Sequence, residues 1–210
     1  MARRLALALT LAIVAGTGAV SAPALAYGPT PTIVVGDSLA VGTKPYLGGL
    51  LSGWPLAWDA VSGRTTPQGM RALRGELRHV QPGAVVISLG SNDGPSGLRF
   101  SDRIRRIRKA IPANACIIWP TIVRPPRKGD ETQLNRSLRA AAKLDDRFVL
   151  VDWIGAVGSG RVVLPDGLHP DPAGYQERSR MISAALAAGC PAAGTGTAEP
   201  GQGGAVAPVG

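Results

Sequence analysis

Ser38, Asp166 and His169 are residues of the types that together move an acyl group. A serine hydroxyl is a weak nucleophile at neutral pH and needs a base. An imidazole can take its proton, and a carboxylate can fix the ring's tautomer and stabilise the imidazolium that forms. Asp166 precedes His169 by three positions, near enough for one loop to hold both. Asn92 offers a side-chain amide, the kind of donor a developing oxyanion needs; losing one such donor costs about 3 kcal/mol of barrier. His79 lies in a helix-like segment with no acid at a useful offset.

Each residue alone has a simpler reading. Ser38 follows a strand-like run and could only cap a helix. Asn92-Asp93-Gly94-Pro95 is good turn chemistry. Gly63 could serve solely to supply a positive φ. His169, between Leu168 and Pro170, could be a surface-loop residue. There is no Gly-x-Ser-x-Gly elbow and no Gly-rich phosphate loop with a lysine.

What decides between these readings is the set of elements that must position the residues. Five short apolar runs, at 32–35, 56–61, 84–90, 116–120 and 148–153, are bounded by turn signals and suit strands buried on both faces. Helical spacing fills the gaps. Met70, Leu73, Leu77 and Val80 form a stripe within 66–80, weakened by Gly69 and Gly75. Phe100, Ile104, Ile107 and Ile111 form a second, with arginines on the opposite face. Leu134, Leu138, Ala141 and Ala142 form a third. Asp171 as N-cap and Pro172 at the first helical position open a last helix that runs to Gly189. Strand–helix alternation predicts an α/β domain with a parallel five-stranded sheet, order 2-1-3-4-5, between helical layers. Ligands of such sheets bind at the carboxyl ends of the strands. The segments that follow the strands hold Gly36-Asp37-Ser38, Ser62-Gly63-Arg64, Gly90 to Gly94 and, further on, Asp166 to His169. They should therefore converge.

Four elements, in this order and spacing, carry a resemblance: Gly36-Asp37-Ser38-Leu39, the lone Gly63, Gly90-Ser91-Asn92-Asp93 and Asp166-Gly167-Leu168-His169. Over roughly residues 32 to 188 the chain resembles the SGNH (GDSL) hydrolases. The resemblance implies a flavodoxin-like three-layer α/β/α domain with Ser38 as nucleophile, His169 as base and Asp166 as its partner. It implies an oxyanion hole made by the Ser38 and Gly63 backbone N–H groups and the Asn92 side chain. It implies no metal and no cofactor. Members include esterases, lipases, thioesterases, carbohydrate deacetylases and some O-acetyltransferases.

The chain ends are expected to lie outside this domain. Arg3 and Arg4, the apolar run 5–14 and Ala24-Leu25-Ala26 follow the order of a secretory signal peptide over 1–26, cleaved before Tyr27. The apolar run is too short to span a bilayer, so no stable membrane insertion is expected after cleavage. The domain then occupies 27–190, and the Gly/Ala/Pro-rich tail 191–210 cannot bury enough apolar surface to fold. The net charge of +9 falls to +7 without Arg3 and Arg4. With 4% aromatics and scattered basic residues, this favours a solvated positive surface that tolerates anionic wall or membrane polymers over nucleic-acid binding. Export permits a disulfide between Cys116, at the start of the fourth strand, and Cys190, after the last helix, both at the amino edge of the sheet.

The expectation is a secreted, monomeric esterase, extracellular or bound to the cell wall. Its ester substrate would carry a short acyl group, on a polysaccharide or a lipid. A wall-glycan O-acetyltransferase, a lipase or thioesterase, and a non-catalytic wall-binding module are the alternatives. Arg64, Arg124 and Arg127 could line the cleft rim or be solvated loop charges.

Overall fold

The computed structural model describes residues 28–125, 128–129 and 131–189. The proposed leader, the tail, Arg127 and Cys190 lie outside the described residues.

In chain order the elements are β1 (Thr32–Gly36), α1 (Ser38–Leu50), β2 (Leu56–Ala60), α2 (Thr66–Glu76), β3 (Ala84–Ser88) and α3 (Gly97–Ala110). They continue with β4 (Cys116–Pro120), α4 (Thr132–Lys143), β5 (Phe148–Val151), α5 (Trp153–Gly158) and α6 (Pro172–Ala188). The five strands pair in parallel in the order β2-β1-β3-β4-β5, as the alternation predicts.

Side chains alternate across the sheet. Ile33, Val35, Val85, Ile87, Ile117 and Trp119 point into a core roofed by α2, α3 and α4. Trp119 lies edge-on to Phe100 and stacked with Phe148, each at 5.9 Å, and donates its indole N–H to the Leu89 carbonyl. Val34, Val86, Cys116 and Ile118 face the other way, against Leu47 of α1 and Ile182 and Leu186 of α6. β1, β3 and β4 are fully buried, whereas β2 is half-buried throughout. The expectation of two-sided burial fails at β2 because it is an edge strand.

Strand and helix ends shift from expectation, three of them by more than one residue. The fifth strand stops at Val151, because Asp152 accepts from the Gly155 N–H and caps α5. The third stops at Ser88, which frees Leu89 and Gly90 for the turn. α2 ends at Glu76, so His79 sits in an exposed turn. Gly69 weakens helix propensity but is needed by packing: a Cβ there would stand 2.2 Å from a Leu89 methyl.

Candidate active site

Gly36 lets the first turn of α1 come close to the end of β1, since a Cβ there would lie 2.2 Å from the Ala40 Cβ. Asp37 then donates its backbone N–H to Ser88 at 3.0 Å and caps α1 by accepting from the Leu39 N–H at 3.0 Å. The cap is therefore Asp37, not Ser38. A serine used as the cap would spend its hydroxyl on the backbone. As the first helical residue, Ser38 keeps it for another partner.

That partner is His169. Its Nε2 lies 2.8 Å from Ser38 Oγ, and its Nδ1 lies 2.7 Å from Asp166 Oδ2. The other Asp166 oxygen accepts the backbone N–H groups of Leu168 and His169, at 2.9 and 2.7 Å. One carboxylate thus folds the turn and orients the ring. Gly167 supplies the positive φ of 77° that the turn needs. Buried Leu168 anchors the turn below, and Asp171 caps α6 just beyond it. The hydrogen bond to the His169 ring, then the one from the His169 N–H, hold the Asp166 carboxyl well below the usual carboxylate range. Ionised Asp166 only accepts, so Nδ1 carries the proton and Nε2 is free to accept from the Ser38 hydroxyl. The His169 and Asp166 side chains are 40% and 51% exposed.

Asn92 follows β3. Its Nδ2 reaches the Arg64 carbonyl at 3.3 Å, and Asp37 Oδ2 and Ser91 Oγ at 3.4 Å each. Its Oδ1 accepts from Lys128 Nζ at 2.5 Å. The contact with Arg64 ties Asn92 to the β2–α2 turn that holds Gly63, whose φ is 76°. The turns bearing Ser38, Gly63, Asn92 and His169 thus meet at one end of the sheet.

Beneath them lies a network that sequence reasoning missed. Ser91 donates a very short hydrogen bond to Asp37 Oδ2. Arg178 of α6 is 2% exposed, lies 4.7 Å over the Trp153 ring and donates to Ser88 Oγ at 3.0 Å. Burial pushes the Asp37 carboxyl up, opposed by the Ser91 bond, the Leu39 N–H and the Arg178 charge. Burial pushes Arg178 down to about 10, which leaves it a cation at neutral pH. Arg178 could have been found: it shares the buried stripe of α6 with Gly174, Ile182 and Leu186, where an arginine is out of place without an acid.

Asp93, read as a turn residue, is also buried. It accepts from the Thr66 N–H at 2.8 Å and pairs with Arg103 at 2.9 Å, while its carbonyl accepts from Arg124 at 2.6 Å. Arg64 is held against Asp59 at 2.6 Å. Arg64 and Arg124 are therefore wall-building groups, not solvated loop charges. Among the described residues no three His, Cys, Asp or Glu side chains gather as a metal-binding group.

Comparison with known proteins agrees with this fold. The chain is 25% identical over 159 residues to the peptidoglycan O-acetyltransferase OatA of Listeria monocytogenes, covering 75% of this chain but only 24% of that relative's length. The C-terminal catalytic domain of OatA from Streptococcus pneumoniae superposes with a TM-score of 0.63 at 21% identity, over 75% of this chain and 93% of that one. A lipase/acylhydrolase from Enterococcus faecalis gives 0.62 at 18% identity, over 73% and 93%. The family model of the GDSL-like lipases/acylhydrolases matches residues 34–177, so the chain belongs to that family.

Proposed function

We propose that the protein is an exported serine esterase that removes short acyl groups from wall glycan. One observation carries this reading: the unbroken relay from Ser38 Oγ through His169 to Asp166, at 2.8 and 2.7 Å. His169 takes the Ser38 proton as Oγ attacks the ester carbonyl, then returns it to the departing alcohol. The acyl-serine is cleaved by water that His169 activates in the same way. The Ser38 and Gly63 N–H groups and Asn92 Nδ2 receive the oxyanion. Export rests on the leader-like residues 3–26. A Cys116–Cys190 disulfide is part of the proposal; Cys116 packs in one cluster with Ile182 and Leu186, on the face that α6 covers. Among the described residues no helix is long and apolar enough to cross a membrane.

The similarity to OatA favours a second reading, transfer of the acyl group to a glycan hydroxyl instead of water. The test is turnover of p-nitrophenyl acetate and of acetylated glycan, with and without an acceptor glycan. Ser38→Ala should abolish acetate release by about three to six orders of magnitude while the fold is kept. Retained activity refutes the mechanism, and acetylated acceptor accumulating faster than free acetate supports transfer.

A further inference from the structure

α3 has two neighbours on its side of the sheet, and the seams differ: the gap towards α4 is about 380 Å³ and is bridged by hydrogen bonds, and the gap towards α2 is wider. Towards α4, Ser101 donates to Ser137 at 2.9 Å, and Arg108 reaches Asp145, beyond the end of α4, at 2.8 Å. Towards α2 the surfaces part around a groove of about 600 Å³, lined by Met70, Arg71 and Arg74 of α2 and by Arg99, Arg103 and Arg106 of α3. The single acid in its lining, Asp102, already pairs with Arg105 and Arg106. Arg103 turns inward to Asp93. Arg71, Arg74 and Arg99 are exposed and make no ion pair among the described residues.

Like charges on both walls repel each other and raise the local potential, and a polyanion would relieve this. Guanidinium forks suit carboxylates, which they can grip through two parallel hydrogen bonds. Leu98, 87% exposed, adds apolar surface for the carbon face of a sugar or stem. The groove abuts the Asn92 turn: Thr66 and Arg103, which line it, both hold Asp93, the residue after Asn92.

We propose that the α2–α3 groove is a carboxylate-binding subsite, which grips an anionic stretch of peptidoglycan while a neighbouring ester reaches Ser38. This rests on the esterase reading for its orientation, but binding can be measured without turnover. The occupant is a carboxylate-bearing glycan strand because the groove carries four more arginines than acids, and the OatA relative is named for peptidoglycan.

The test is the variant Arg71→Gln/Arg74→Gln/Arg99→Gln, which changes three exposed side chains and should leave the circular dichroism spectrum unchanged. On O-acetylated peptidoglycan fragments its kcat/KM should fall about tenfold. On p-nitrophenyl acetate, and on fragments whose carboxyls have been amidated, it should match the parent. In a Ser38→Ala background, sedimentation with peptidoglycan should show the same loss of affinity. Equal parent kcat/KM on amidated and native fragments overturns the proposal, as does unchanged binding by the triple variant. Loss of binding to a teichoic-acid polymer with peptidoglycan binding kept overturns the carboxylate assignment. If the parent turns over no ester yet the binding loss appears, the esterase reading fails and the subsite stands.

Discussion

Lys128 Nζ donates to Asn92 Oδ1 at 2.5 Å, and that contact sets which way the amide faces. A lysine ammonium has donors only, so Oδ1 must point to it and Nδ2 to the Arg64 carbonyl and Asp37. The charge also polarises the amide and makes its N–H a stronger donor. Lys128→Met should lower kcat about ten- to hundredfold, the value of a charge-assisted bond, with KM little changed. Steady-state kinetics on p-nitrophenyl acetate would check it; an unchanged kcat counts against any electrostatic part for Lys128.

Arg178 acts one layer deeper, through Asp37 and Ser91. Around Asp37 stand Ser91, Asn92, Ser88, Tyr175 and Arg178, and among these the guanidinium is the one cation. Without it, burial would lift the Asp37 pKa further, so the carboxylate would be lost as pH falls towards acid. Arg178→Ala should thus lose activity most at low pH, with its acid limb moved upward. Added guanidinium should restore part of the rate. A uniform loss at all pH values, without rescue, would indicate packing alone.

α1 begins at Ser38 and α6 begins just after His169, so the contact between these helices sets the distance between the two side chains. Tyr175 lies on Gly42: a Cβ there would meet its ring at 2.2 Å. Gly42→Ala should cost about 1–3 kcal/mol of stability by overpacking and lower kcat together with it. Thermal unfolding and kinetics on the same preparation would test the link; loss of stability at full kcat would break it.

Asp145 gives a pH test of stability away from the site. Burial alone would push its carboxyl up, but hydrogen bonds from Arg147 and Arg108 outweigh this and hold it at about 2. A folded-state pKa below the unfolded value means stability that is present above about pH 4 and lost as pH falls towards 2. Asp145→Asn should remove about 2 kcal/mol at neutral pH and flatten the acid side of the profile. Urea unfolding at pH 7 and pH 3 would read the difference.

The strands and their order were legible because buried runs of Val and Ile repeat between amphipathic stripes, and right-handed crossovers leave few arrangements. The site loops were legible because motif residues follow the strands in sequence. What stayed hidden depends on approach between distant segments. Asp93 looks like a turn residue until Arg103, Arg124 and the Thr66 N–H arrive from three other segments. Lys128 sits 36 positions from Asn92 in a loop with no periodic signal. Gly69 reads as a helix defect, since nothing local announces the leucine that fills its missing side chain, and nothing near Gly42 announces Tyr175.

His169 and its Asp166 partner sit at the surface, their side chains 40% and 51% exposed. A reaction centre of that shape need not swallow its substrate. An ester on the flank of a long strand can be presented sideways, with the polymer continuing past in both directions. On the proposed esterase reading, that suits modification along the interior of a chain rather than nibbling from its ends.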